Sequence, residues 1–316
     1  MNIKIYSRFL RLWALAKRRV PEILVLAMKR PQWFVMFAFS RLHVVRNLVV
    51  SASRRTAYQH DEKGLSVFPH IHIDDVVETL NKDGICVGLS LPAHLLQEIL
   101  DYAMSATYLG DGSPQSRFYL ASKEEDEAGL GRRFTVGYDL HASLNCTAVL
   151  ALARDPKVWA IAAQYLECKP LLLRAKIWWT FVGDPDAQLF QFHYDLEDYR
   201  SLKFLFYLTD VNSSSGPHCC IKGSHKKKKL RHQLSLNRYR GVNERELLDY
   251  YGKEKVMAIC EKAGFGLVED PFCFHKGTPP VTRSRLVLEI LFSRTDYAIL
   301  PEVTAPPLEA RVSPVV

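Results

Sequence analysis

The chain is 316 residues long, 48% apolar and 24% charged, proportions of a folded globular protein that exclude a low-complexity chain. Its formal charge of +8 is unevenly spread: residues 1–60 hold twelve Lys and Arg against the single acid Glu22, a net of +11, while residues 61–316 hold thirty against thirty-three, a net of −3. The basic balance therefore belongs to an arm, and the slightly acidic body argues against a nucleic-acid binder working through a basic face.

In the arm, residues 1–60, apolar stretches are broken by Lys29, Arg30, Pro31 and Arg41, so none reaches the ~18 residues of a bilayer span. Trp13 and Trp33 beside Arg and Lys give it the composition of amphipathic helices at an anionic membrane surface. A helical extension packed on the body or on a partner, and a cleaved organelle-targeting peptide, are the competing readings. The seven cysteines form no CxxC pair and no secretory signal is visible, which points to reduced thiols. The expected location is the cytoplasm, with peripheral membrane association through the arm.

The body, residues 61–316, opens on a join at 61–65. A helix is expected over 74–81, ended by Asp83-Gly84, then a strand over 85–89 and a helix over 92–104. Residues 108–135 read as loop, and helical pattern returns over 148–166. From residue 171 the character changes to short aromatic and aliphatic runs separated by Gly, Pro, Ser and Asp. Strands are expected over 171–182, 189–194, 202–211, 218–221, 266–268, 272–275 and 285–292, with a polar helical insert near 242–262. Such spacing predicts an antiparallel sandwich or barrel. Trp178-Trp179 is read as strand packing.

The motif that carries chemistry is His193-Tyr194-Asp195. Residues i and i+2 of a strand share a face, so one imidazole and one carboxylate can address one ion. A second His completes a triangular face and leaves the opposite face open, the arrangement of Fe(II) oxygenases. His275 is the best second ligand, with His218, His225 and His232 as competitors. His225 and His232 flank Lys226 to Lys229 and are expected in a solvated loop. His72-Ile73-Asp74 repeats the motif, but Asp74 reads as a helix N-cap. His60-Asp61 falls in the join.

The run from His193-Tyr194-Asp195 through Leu202-Lys203-Phe204, Tyr207-Leu208-Thr209-Asp210-Val211 and Ser215-Gly216-Pro217 to Lys222-Gly223-Ser224-His225 resembles the phytanoyl-CoA dioxygenase family. His275-Lys276-Gly277, with Arg285 opening Leu286-Val287-Leu288, is similar to the distal half of that family's site. The resemblance covers roughly residues 70–295 and does not reach the arm. It implies a mainly β chain with flanking helices, built on a double-stranded β-helix (jelly-roll, cupin-like) core. It also implies Fe(II), 2-oxoglutarate as cosubstrate and O₂, with His193, Asp195 and His275 as metal ligands. The reaction implied is hydroxylation of an unactivated C–H, with release of succinate and CO₂.

The far carboxylate of 2-oxoglutarate needs a cationic fork, which Arg offers and Lys does not. Arg285 is the choice and Arg283 the rival. Tyr207 stands where the family often has an aromatic near the 2-oxo acid. Because Asp195 is present where halogenating relatives have a small residue, hydroxylation is favoured. The expected substrate is small or amphipathic, lipid-linked or CoA-linked molecules included. The alternatives are a catalytically silent metal-binding or sensor protein on the same fold and, with less support, a nucleic-acid demethylase.

Overall fold

The computed structural model describes residues 27–53, 65–139, 145–183, 190–234 and 243–297. Its strands are β1 (Ile85–Ser90), β2 (Thr107–Gly110), β3 (Arg117–Tyr119), β4 (Val136–Asp139), β5 (Leu171–Thr180), β6 (Ser201–Tyr207), β7 (His218–Ile221), β8 (Val256–Ile259), β9 (Phe265–Glu269), β10 (His275–Gly277) and β11 (Arg285–Ser293). Eight form an antiparallel sheet in the order β1-β9-β6-β11-β5-β4-β2-β3, and three form a smaller sheet in the order β10-β7-β8. This is the jelly-roll architecture expected, with helices on the outer face of the large sheet.

Strand β11 shows how the sequence builds the layers. All nine of its residues are buried, but its two faces differ in kind. Leu286, Leu288, Ile290 and Phe292 enter the core against the helices, while Arg285, Val287 and Glu289 face the space between the sheets. Each such fully buried aliphatic or aromatic contributes roughly 1.5–3 kcal/mol. Neighbouring β6 repeats the rule, with Leu202, Phe204 and Phe206 outward to the helices and Lys203, Leu205 and Tyr207 inward. On β5, Ala175 and Ile177 face the helices and Arg174, Lys176 and Trp178 the interior. Leu172 also faces the helices, because the register of β5 on β11 shifts between Leu291 and Phe292. A bulge of this kind turns the following side chains to the other face.

The helix layer comprises Ile73–Asp83, Ala93–Ser105, Thr147–Ala153 and Pro156–Leu166. The last is capped by Asp155, whose carboxylate accepts from Lys157 N (2.9 Å) and Val158 N (3.2 Å). The first ends at Gly84, where φ is +77° and an added Cβ would lie 2.3 Å from Cys273 Sγ and 2.4 Å from His225 Nδ1. Glycine is therefore required there by conformation and by space.

Several expectations are corrected. Residues 108–135 are not all loop: they hold β2, β3 and the helix Lys123–Leu130. The insert near 242–262 is helical only over Glu244–Tyr251 and then becomes β8, with a single turn of 3-10 helix between. Asp74 lies inside the first turn, and the N-cap residue is His72. Part of the strand expected at 189–194 lies outside the described residues. Residues 190–194 form no continuous ladder, and His193 joins the small sheet through one antiparallel bridge to His275.

Residues 1–26 and 54–64 lie outside the described residues. Residues 27–53 pack on the body. The helix Pro31–Phe39 buries Trp33 and Met36 beside Tyr199. The helix His43–Ala52 buries Arg46, whose guanidinium lies 3.9 Å from the Phe272 ring centre and 3.6 Å from Asp270 Oδ1. Arg294 donates to Ser53 O at 2.8 Å. Among the described residues no helix is long and apolar enough to cross a membrane.

Candidate active site

The inward faces of β5, β6 and β11 carry charges that an ordinary core would exclude. Glu289 on β11 stands opposite Lys176 on β5 and Leu205 on β6. Its carboxylate receives Arg174 Nε at 2.9 Å, Lys176 Nζ at 3.4 Å and Lys203 Nζ at 3.7 Å. Arg174 also pairs with Glu197 at 3.2 Å. Burial alone would raise the Glu289 pKa, but Lys176, Arg174 and Lys203 hold it down at about 2. The group stays ionised because its partners are fixed around it. These residues, with Trp178 and Tyr138, line a cavity of about 230 Å³ between the two sheets.

At one end of this cavity His193, Asp195 and His275 converge, with one ligand-type atom from each within 4.8 Å of the others. Their separation in sequence is bridged by backbone bonds. His193 N donates to His275 O (2.9 Å), His275 N donates to His193 O (2.8 Å), and Asp195 N donates to Pro271 O (2.8 Å). The expected strand is therefore absent at 193–195, yet the bridge to β10 performs its task.

Both imidazoles are oriented for metal binding. His193 Nδ1 lies 2.7 Å from Gln191 O, and His275 Nδ1 lies 2.9 Å from Cys273 O. A carbonyl oxygen only accepts, so each Nδ1 carries a proton, and in the neutral ring Nε2 carries the lone pair. His275 Nε2 lies 3.6 Å from Asp195 Oδ2. Burial, reinforced by His275, pushes the His193 pKa down to about 3. Its imidazole is therefore neutral at physiological pH. For His275, burial lowers the pKa, but Glu269 and Asp195 outweigh it and the net shift is upward. For Asp195, burial opposes ionisation, but Lys203 and the two histidines hold the carboxyl well below its ordinary value. Lys203 makes a short ion pair with Asp195.

Arg285 lies at the other side of the cavity, buried, with Nη1 donating to Gly216 O and Nη2 3.4 Å from Thr180 Oγ1. Its Nε has no hydrogen-bond partner. Among the described residues no carboxylate pairs with it, and burial lowers its pKa. A buried guanidinium without a counter-charge is costly and fits a site that awaits an anion. Gly216 has φ +77°, and a Cβ there would meet Thr278 O at 2.7 Å, so its carbonyl reaches Arg285 only because it is glycine. The rival Arg283 is exposed.

Tyr207 does not line the cavity. Its hydroxyl donates to Ile259 O (2.9 Å) and accepts from His218 N (2.9 Å), so it packs behind Arg285 with its polar atom engaged by backbone. His218 lines the cavity but bonds Glu269 at 2.9 Å and does not join the triad. His232 and Lys228 are buried, contrary to the solvated loop expected. His232 Nε2 bonds Glu246 at 2.6 Å, while His225 Nδ1 lies 3.5 Å from Cys273 Sγ. Lys228 Nζ donates to Ser224 O (2.9 Å) beneath Tyr194, Phe272 and Phe274. His72 is exposed and Asp74 accepts from Gln164 (2.8 Å), so the second His-x-Asp is structural. His60 and Asp61 lie outside the described residues.

The sequence reading did not single out Arg174, Lys176, Lys203, Glu197 or Glu289 for the site. The signal was charge at alternate positions of otherwise apolar strands: Arg174 and Lys176 in β5, Lys203 in β6, Glu289 in β11. Trp178, expected to serve strand packing, also lines the cavity.

Two sheets with two histidines and a carboxylate converging between them define a cupin-like, jelly-roll oxygenase fold. The chain belongs to the phytanoyl-CoA dioxygenase family: the family described as Phytanoyl-CoA dioxygenase (PhyH) matches residues 98–285, more than half of its length. No curated protein matches it. Among solved structures it is similar to the non-heme alpha ketoglutarate dependent epimerase SnoN from nogalamycin biosynthesis. The identity is 17%, with 75% of this chain and 92% of that chain covered and a TM-score of 0.51. SnoN in complex with Fe3+, alpha ketoglutarate and nogalamycin RO gives 16%, 75%, 93% and 0.50 in the same order. EvdO2 from Micromonospora carbonacea var. aurantiaca gives 14%, 73%, 96% and 0.49. At these identities the likeness to SnoN is one of fold.

Proposed function

We propose that this protein is an Fe(II)- and 2-oxoglutarate-dependent dioxygenase that hydroxylates an unactivated C–H of a small substrate. The observation that carries this reading is the convergence of His193, Asp195 and His275, with both Nδ1–H groups bound to backbone carbonyls. Two imidazoles and one carboxylate suit Fe(II), and the backbone bonds fix the rings before metal arrives. The guanidinium of Arg285 in the same cavity, with no carboxylate partner among the described residues and its Nε unsatisfied, suits the far carboxylate of 2-oxoglutarate. Tyr207 supports Arg285 from behind and is a positioning residue in this reading.

When bound, iron and the 2-oxo acid supply the activation of O₂ and release succinate and CO₂. The chain's own part is orientation and exclusion. His193 and His275 present imidazole nitrogens and Asp195 presents a carboxylate, which is paired with Lys203 until the ammonium is displaced by metal. Arg174, Lys176 and Trp178 of β5 form one wall of the cavity that holds the reacting centre.

The cavity, about 230 Å³, is below the roughly 300–1,000 Å³ usual for ligand sites. Its charged wall favours a small polar substrate over a long acyl chain. The catalytically silent alternative is favoured by one feature, the Lys203 ammonium already seated on Asp195. Succinate release from 2-oxoglutarate with Fe(II), without added substrate, separates the two. Stoichiometric metal binding with no succinate selects the silent reading.

A further inference from the structure

A second cavity, of about 360 Å³, lies under the helix His43–Ala52, where that helix packs on the body. Its lining includes Arg46, Arg200 and Lys226 as cations against the single carboxylate of Asp270, with His43 and His225 beside them. These groups come from separate stretches of chain, and two hold polar atoms that nothing satisfies. Arg46 is 6% exposed, yet its Nη2 makes no hydrogen bond among the described residues. His43 Nε2 is likewise buried and unsatisfied. Asp270 does not resolve this, because it stands 3.6 Å from Arg46 and its oxygens are engaged by Tyr165 Oη (2.7 Å) and Phe272 N (2.8 Å). Arg200 is held in place by Glu167 and Asn81, both at 3.0 Å, with its guanidinium over Tyr165. Lys226 is exposed.

Buried polar atoms without a hydrogen-bond partner, such as the Arg46 Nη2 donor, are rare in native proteins and are satisfied by water, ion or ligand. Here they share one cavity with an excess of positive charge. We infer that this cavity is a binding site for a small phosphate-bearing anion, held by Arg46, Lys226 and His43 with Arg200 behind. Cations approaching from several directions match a tetrahedral oxyanion better than a planar carboxylate. The ligand would join the helix His43–Ala52 to the body. It would also touch the segment leading to the metal site, since Asp270 lines the cavity and the next residue, Pro271, accepts from Asp195 N.

The test uses the full chain. Thermal unfolding and calorimetry are measured with inorganic phosphate, and with chloride at matched ionic strength. Saturable heat and a rise in Tm with phosphate alone are expected, because a ligand that binds only the folded state stabilises it. Lys226→Ala, at an exposed position, should keep its fold and bind phosphate about tenfold more weakly. Arg46→Lys keeps the charge and removes the fork, and should weaken binding further. Vesicles containing phosphatidic acid form a second arm: retention that depends on Lys226 assigns the phosphate to a lipid headgroup, and phosphate saturation without retention assigns it to a soluble ligand. Absence of saturable binding in both arms, or equal binding by wild type and both variants, overturns the inference.

Discussion

The ammonium of Lys203 sits against Asp195 Oδ2, the oxygen that also lies 3.6 Å from His275 Nε2, and reaches back to Glu289 at 3.7 Å. An ion-paired ligand is a weaker ligand, because the metal must compete with a buried cation for its charge. Lys203→Met should therefore strengthen Fe(II) binding, by roughly tenfold or more if one charge-assisted hydrogen bond is removed. Anaerobic Fe(II) titration measures this. An unchanged or weaker constant would show that Lys203 supports the metal site and does not compete with it.

Arg285 and Arg283 are two residues apart but differ in burial, so they separate cleanly by mutation. Removing the cationic partner of a buried charge costs about 3–5 kcal/mol, which corresponds to a rise of roughly 10²–10⁴ in the 2-oxoglutarate dissociation constant. Arg285→Leu should show that loss. Arg283→Leu should bind 2-oxoglutarate as wild type does, since its side chain is exposed. The reverse pattern in the titration would move the clamp to Arg283.

Lys228 makes stability depend on pH. Burial drives its amine from the ordinary value of 10.5 down to about 7. Between pH 7 and 10.5 the unfolded chain binds more protons at this site than the folded one, so stability rises with pH across that window. The slope due to this group approaches about 1.4 kcal/mol per pH unit. Denaturant unfolding of wild type and Lys228→Met at several pH values reads it as a difference. Parallel curves for the two proteins would remove Lys228 as the cause.

The packing of residues 27–53 bears on the arm. Deleting residues 1–60 removes the Trp33 and Met36 burial, the Arg46 contact with Asp270 and the acceptor of Arg294 at Ser53. That truncation should lower Tm by several degrees or prevent folding. The same helices expose Phe34, Val35, Phe39, Val44 and Leu48, and the whole arm carries a net +11. We propose that full-length protein binds anionic vesicles reversibly, with high salt weakening the attraction. Co-sedimentation that is equal with anionic and neutral vesicles, or absent with both, would count against this.

Much of the site was legible because strands have a period of two and the family motif is local. His193, Asp195, His275 and Arg285 were all reached from the sequence and all line one cavity. The fold followed from short aromatic and aliphatic runs with turn residues between them. What could not be read was set by tertiary contact. His193 and Asp195 face one centre through a bridge to His275 and a bond to Pro271, with no strand of their own. Lys228 looked like part of a solvated run, and only the rings of Tyr194, Phe272 and Phe274 make it a core residue. The charges of β5, β6 and β11 were visible as residues, but their mutual pairing depends on a register that the sequence does not state.

The most direct test of the central claim is succinate formation from 2-oxoglutarate by the Fe(II)-loaded protein, with metal content measured on the same samples. Wild type should bind one Fe(II) and release succinate even without added substrate. Asp195→Ala and His275→Ala should lose both metal and succinate, while His72→Ala, at an exposed helix start, should match wild type. Succinate formation that persists in Asp195→Ala and His275→Ala, or a wild type that holds Fe(II) and 2-oxoglutarate and yields none, would contradict the account.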